Sequence, residues 1–238
     1  KIRNVGFTIE TKPDYCKQIH VDAMLDYGIT RIEIGVQSLQ ERVYKIVNRG
    51  HDYNDVIESF QISKDAGYKI VAHMMPGLPT MTPEGDIADF KKLFDDSHLR
   101  PDMLKIYPSL VIENTPLYDE YKRGEYTPYS DQDMIRVLTE VKKNIPKWVR
   151  IMRVQREISP NEIIAGPKSG NLRQIVHQNL SKQGISCKCI RCREAGLSNK
   201  KTDDQNLKLN RIDYESSGGN EVFLSYEDAN DSIYGFLR

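Results

Sequence analysis

What most constrains this 238-residue chain is the way its hydrophobic period switches back and forth along the first two thirds. Short apolar runs alternate with amphipathic stretches of helical period, and glycines or capping residues mark the changes. Val5–Ile9 reads as a short buried strand and His20–Tyr27 as a helix stopped by Gly28. Arg31–Gly35 reads as a strand, Leu39–Val47 and Asp55–Ala66 as helices, and Lys69–Met75 as a further strand. Thr82-Pro83-Glu84 opens a helix through Phe94, with a Thr N-cap, Pro at the first helical position and an acid in the first turn. Ser130 and Asp133 predict the capped start of a helix running to Lys143, and Met103–Tyr107 and Val149–Val154 read as strands. Strands alternating with helices in this way imply βαβ units around a parallel sheet.

The strand ends share a chemistry. Glu10 and Thr11, Gly35 and Gln37, His73 and Met75, Lys105 and Tyr107, and Arg153 and Gln155 all sit at or just past a C-terminal strand end. In a parallel α/β barrel these ends line one mouth, where polar side chains serve a ligand. Lys105 inside a parallel strand is hard to bury unpaired, so an ion-paired or functional role is expected for it.

The rhythm stops near residue 160. Asn171–Lys182 is one more amphipathic helix, and after it Cys187, Cys189 and Cys192 crowd three thiols into six residues. Three thiols supply three of the four ligands of tetrahedral zinc, with His177 or Cys16 as the fourth; reduced free thiols are the alternative. Four cysteines without a secretory leader point to a reducing compartment, expected to be cytoplasmic. No apolar run is long enough to span a bilayer. Ser198–Asn210 is polar and reads as a linker, and Glu221–Tyr226 with Ile233–Leu237 reads as the opening of an antiparallel unit. The first residue is not Met, so the chain reads as an internal piece of a longer protein. The expected organisation is a barrel portion over 1–160, a basic linker with the Cys-rich loop over 161–211, and a second domain starting at 212.

Formal net charge is zero, yet charge is segregated. Residues 142–211 carry 16 Lys and Arg against 5 Asp and Glu, whereas the flanks are acidic. Such a block is the footprint of a phosphate-binding surface, or else a solvated linker balancing acidic neighbours. Arg153, Arg156, Arg173, Lys188, Arg191 and Arg193 are its candidate RNA contacts.

Gly35-Val-Gln37-Ser, Arg49-Gly-His51 and Gly77-Leu-Pro79 resemble the second half of radical S-adenosylmethionine (SAM) enzymes of the coproporphyrinogen-oxidase-like branch. Further motifs narrow the likeness: Thr8-Ile-Glu-Thr-Lys-Pro-Asp-Tyr-Cys16, His73-Met-Met-Pro-Gly-Leu-Pro79, Lys105-Ile-Tyr-Pro-Ser-Leu-Val111, Trp148-Val-Arg-Ile-Met-Arg153, and Tyr214-Glu-Ser-Ser-Gly-Gly219. Together they are similar to the family of Elongator catalytic subunits, which fuse a radical SAM barrel to an acetyltransferase domain and modify the wobble uridine of tRNA. The resemblance implies an α/β fold: the C-terminal part of an incomplete radical SAM barrel, a zinc-type linker, and the first strands of an α+β acetyltransferase domain. It implies SAM, a [4Fe-4S] cluster and acetyl-CoA, with the cluster cysteines expected upstream of residue 1 and the acetyl-CoA loop beyond residue 238, so this piece is expected to be inactive alone. It further implies SAM contacts from Glu10, Gln37 and Arg49, and substrate contacts from His73, Lys105 and Tyr107. His73 stands where the related branch carries Asp, so an acid-to-ribose contact does not transfer. The implied reaction forms 5-carboxymethyluridine on an anticodon loop, with a homo-oligomer or Elongator-like subunits as partners. A protein or histone lysine acetyltransferase and a tRNA-binding scaffold without catalysis are the other readings open at this point.

Overall fold

The computed structural model describes residues 4–197 and 205–238. From the N-terminus run β1 (Thr8–Thr11), α1 (Gln18–Asp26), β2 (Arg31–Gln37), α2 (Glu41–Ile46), α3 (Tyr53–Asp65) and β3 (Lys69–Met74). There follow α4 (Pro83–Asp95), β4 (Met103–Ile106), β5 (Val111–Ile112), α5 (Pro116–Lys122), α6 (Asp131–Asn144) and β6 (Arg150–Arg153). The remainder holds β7 (Ile163–Ala165), α7 (Leu172–Lys182), the single turn α8 (Ile190–Arg193), β8 (Lys208–Ser216), β9 (Gly219–Glu227) and β10 (Ile233–Leu237). Strands β1, β2, β3, β4 and β6 form one sheet in that order, each neighbouring pair parallel. The α/β expectation holds.

Local chemistry sets the boundaries. Thr82 accepts from Gly85 N at 3.1 Å, and Ser130 and Asp133 form a reciprocal capping box, as their spacing predicts. At the end of α3, Tyr68 N donates to Ser63 O at 3.0 Å while Gly67 takes φ +81°, a closure that favours glycine. In β2 and β3, Ile32, Ile34, Val36, Ile70 and Ala72 are fully buried under the helical layer. The strand period of two turns Glu33, Gly35 and Gln37 to the opposite face, the inside of the curved sheet.

The N-terminal strand begins later than its apolar pattern predicts. Val5 and Phe7 are exposed, and pairing starts at Thr8, because β1 is the edge of the sheet and its outer side has no neighbour among the described residues. Helix α7 packs on α6, with Leu172, Val176 and Leu180 in the main core.

Strands β8, β9 and β10 make a separate antiparallel sheet. The expected polar linker through Asn210 falls partly outside the described residues, and Lys208–Asn210 are instead the first residues of β8. A two-residue turn joins β8 to β9, with Ser217 at φ +50° and Gly218 at φ +76°, matching the twist of the hairpin. The hairpin docks on the barrel portion through Ser217 N to Ser97 O (2.6 Å), Ser216 Oγ to Leu99 O (3.0 Å), and Tyr214 stacked on Trp148 at 4.2 Å. Among the described residues no helix is long and apolar enough to cross a membrane.

Arg193 belongs to this junction and not to an RNA surface. Its guanidinium is buried, pairs with Glu227 at 2.8 Å, and donates to Lys188 O and Lys147 O. Replacing Arg193 with Ala leaves the buried Glu227 with only Lys147, 3.9 Å away, as a cation, so chemical denaturation should show a loss of about 3 kcal/mol. Lys188→Ala, on the exposed neighbour, should stay within about 0.5 kcal/mol of the parent.

Candidate active-site mouth

Three inward-facing positions on adjacent strands meet in a charged cluster. Glu33 Oε2 on β2 accepts from His73 Nε2 on β3 at 2.6 Å and from the Lys105 ammonium on β4. The parallel register sets His73 beside Lys105 and Glu10 beside Glu33. His73 Nδ1 then reaches Glu10 Oε1 at 3.2 Å, so one imidazole bridges a buried acid and an exposed one. Tyr107, two residues past Lys105, lies edge-on to His73 with ring centroids 5.3 Å apart, and the Arg156 guanidinium stands 5.0 Å from the Tyr107 ring. Burial pushes the Glu33 carboxyl up, but the hydrogen bonds and charges of His73 and Lys105 outweigh it and hold the group down at about 2. Glu33 was not singled out from sequence; an acid between Ile32 and Ile34 in a strand is the signal that would have found it.

A second cluster lies further along β2. Arg49 Nη2 donates to Gly35 O at 3.0 Å. A Cβ on Gly35 would come within 2.9 Å of Gln37 Nε2 and 3.0 Å of Arg49 Nη2, so the bare glycine lets both side chains lie over the strand end. Arg49 Nε and both ring nitrogens of the buried His51 have no partner among the described protein atoms. Glu10, Gln37 and Arg49 therefore belong to the same end of the sheet, with Thr11 O also 3.6 Å from that Cβ position.

The Cys187, Cys189 and Cys192 sulfurs all lie within 4.8 Å of one another. His177 Nε2 is 3.5 Å from Cys192 Sγ, whereas Cys16 is buried elsewhere against Ser63 Oγ at 3.3 Å. Cys16 is thereby removed as a fourth ligand. The wholly buried Lys142 ammonium sits 3.7 and 3.8 Å from two of the sulfurs and 3.0 Å from His177 Nε2, a cation that the charge pattern had placed at the surface. The three thiols would supply three of the four ligands of tetrahedral zinc, and His177 beside Cys192 offers an imidazole nearby.

The candidate RNA contacts separate. Arg156 and Lys188 are exposed; Arg153 is exposed and 3.5 Å from Glu157; Arg191 is half-buried. Arg173 turns inward, its Nη2 facing Ile151 O and Met152 O at 3.4 Å, where it caps the end of β6 instead of facing solvent.

Because Glu33 titrates lower when folded, its contribution to stability is complete above its usual pKa of 4.5 and is lost as pH falls towards about 2. Urea unfolding of the parent and of Glu33→Gln should show a stability gap that is constant from neutrality to about pH 5 and narrows below it. A gap independent of pH would mean that the carboxylate is not ionised in this cluster.

Residues 1–93 match the radical SAM superfamily and residues 101–182 the radical SAM C-terminal domain. The chain is 46% identical to the tRNA uridine(34) acetyltransferase of Methanocaldococcus infernus, over 100% of this chain and 46% of that protein. It is 47% identical to Elongator complex protein 3 of Saccharomyces cerevisiae, over 98% of this chain and 42% of that protein. A solved structure of the archaeal Methanocaldococcus infernus Elp3 with an N-terminal deletion superposes with a TM-score of 0.94 at 45% identity, covering 98% of this chain and 56% of that one. The chain thus spans about half the length of the relatives it matches. Fold, sheet register and these likenesses agree: the chain belongs to the radical SAM superfamily, in the branch that contains Elongator complex protein 3 and the tRNA uridine(34) acetyltransferases.

Proposed function

We propose that this chain is the SAM-binding and tRNA-facing portion of an enzyme that forms 5-carboxymethyluridine at the wobble position of tRNA, with acetyl-CoA as carbon donor. The observation that carries this reading is the meeting of Gln37 and Arg49 over Gly35 on the same sheet end as the Glu33–His73–Lys105 cluster. Bound SAM beside a reduced [4Fe-4S] cluster, held by residues outside this chain, would supply a 5′-deoxyadenosyl radical for hydrogen abstraction from the acetyl group. Arg49 offers a planar fork to the SAM carboxylate, and its unpartnered Nε leaves a donor for that purpose. Gln37 can donate and accept towards ribose or the amino-acid moiety, and the exposed Glu10 suits an ammonium or a hydroxyl. Lys105, held by Glu33, presents a fixed ammonium to an acyl carbonyl or a nucleobase, and His73 and Tyr107 wall the same space.

Zinc at Cys187, Cys189, Cys192 and His177 would fasten the loop that carries Lys188 and Arg191. These two residues, with Arg153 and Arg156 at the mouth, form the tRNA face of the proposal. The antiparallel hairpin would open the acetyltransferase domain. Cytoplasmic tRNA, and a second copy or Elongator-like subunits, are the partners that follow. The names of the relatives support the substrate.

In the full-length protein, Arg49→Ala should weaken SAM binding about tenfold by equilibrium dialysis, and Arg49→Lys should not restore it because the fork is lost. Unaltered affinity in both would remove Arg49 from the site.

Filter binding of tRNA to full-length Lys188→Glu/Arg191→Glu should be weaker, with a log–log salt slope reduced by about one to two. If affinity and slope survive the double reversal, the tRNA face lies elsewhere. Arg193 is left intact in this test because it serves the hairpin junction.

A further inference from the structure

Gln37 is held in a backbone conformation that its residue type does not favour. Its φ is +71°, and Ser38 N donates back to Val36 O at 3.0 Å, which makes Gln37 the centre of a γ-turn of the rarer, strained hand. A non-glycine residue stays there only when its surroundings over-determine it. Gln37 O accepts from Met75 N at 2.7 Å, which ties the turn to β3. The three residues that follow Gln37 are tied to a single group on α4.

That group is the Asp89 carboxylate. Its Oδ2 accepts from Ser38 Oγ and from Leu39 N, each at 2.8 Å, and its Oδ1 accepts from Gln40 Nε2 at 2.5 Å. Tyr44 OH adds a hydrogen bond to Ser38 O from α2. Asp89 is 1% exposed, and the donors bonded to it are all uncharged. A carboxylate buried without a cation is a costly choice for a helix face, and sound packing alone would be served by an apolar residue. Its geometry is that of a clamp on one turn.

We propose that Asp89 is the positioning residue for Gln37: from the back of the sheet it fixes the strained turn that points the Gln37 carboxamide over Gly35 and into the mouth. The consequence for SAM rests on the reading of Gln37 as a SAM contact; the consequence for the turn does not. Asp86, three residues earlier on the same helix, grips the next loop in the same way, accepting from Gly77 N at 2.8 Å and Tyr129 OH at 2.7 Å. Helix α4 thereby serves as a strut whose two buried acids set the loops after β2 and β3.

The test uses full-length protein with Asp89→Ala, the milder Asp89→Asn, Gln37→Ala, and Asp89→Ala/Gln37→Ala, read by crystallography and by SAM equilibrium dialysis. Asp89→Ala should release Gln37 from positive φ and weaken SAM binding about tenfold, as for loss of one charge-assisted contact. Asp89→Asn keeps the shape but turns an amide towards donors, so it should show a smaller loss. The double variant should bind SAM no worse than Gln37→Ala alone, since Asp89 acts only through that side chain. A turn that stays intact in Asp89→Ala, or in Asp89→Asn should the first not fold, overturns the proposal whatever SAM does. Additive losses in the double variant overturn it as well. A released turn with unchanged SAM affinity, together with a silent Gln37→Ala, upholds the positioning and defeats instead the assignment of Gln37 to SAM.

Discussion

A parallel sheet joined by helical crossovers must send every strand end of one polarity to the same rim. In this chain the inward face of that sheet also carries ions, and this makes the register exacting. Glu33 is nearly inaccessible, so it cannot remain charged without partners. Those partners come from the next two strands: His73, two residues beyond Val71, the β3 residue paired with Glu33, and Lys105, level with His73 on β4. Slipping one strand by a single residue would turn its charged group into the apolar helical layer. The ion cluster and the strand register therefore specify each other.

Buried carboxylates recur wherever two parts of the chain must be joined. Asp102, wholly buried at the start of β4, accepts from Ile70 N at 2.9 Å and pairs with Lys64 at 3.1 Å and Arg238 at 3.3 Å. Lys64 continues to Glu221 at 3.0 Å, so one acid links the sheet to the antiparallel hairpin. Asp86 is pushed up to about 7 by burial and by its neighbour Asp89, even though Tyr129 and Gly77 N pull it down. An acid displaced that far is poor value as a source of stability. Its use is directional, since a carboxyl group can hold a loop by several donors at once where an apolar side chain cannot.

The elements legible in the sequence were those punctuated by local chemistry. Thr82-Pro83, the Ser130–Asp133 box and Gly67 each act within one turn of backbone, so their effect is written in adjacent residues. Strand β8 was illegible for the opposite reason. Lys208, Asn210, Arg211 and Asp213 are exposed, and the strand meets a core only from Ile212, so its first residues read as linker. The mouth was legible as a set of strand ends: Glu10, Lys105 and Tyr107 lie around Glu33 and His73, and Gln37 and Arg49 lie over Gly35. Glu33 was marked only by its two isoleucine neighbours, and nothing local marks Asp89 or Lys142 as buried ions. The partners of these three lie 40, 51 and 35 residues away.

The same limit explains the basic block. Summed along the sequence it resembles a continuous phosphate-binding face, but folding spends much of it internally. Lys142 enters the cysteine cluster, Arg193 pairs with Glu227, Lys147 lies 3.1 Å from Asp231, and Arg150 lies 2.9 Å from Glu194. Two of those four partners come from the acidic C-terminal segment, so the opposite charges of residues 142–211 and 212–238 help bring the hairpin to its dock. Among the described residues, those of the block still open to an outside anion include Arg156 beside the Tyr107 ring, Lys168 and Lys182, and Lys188 with the half-buried Arg191 on the cysteine loop. Segment charge sets how strongly a region attracts, and the fold decides which of its charges still face outward to do so.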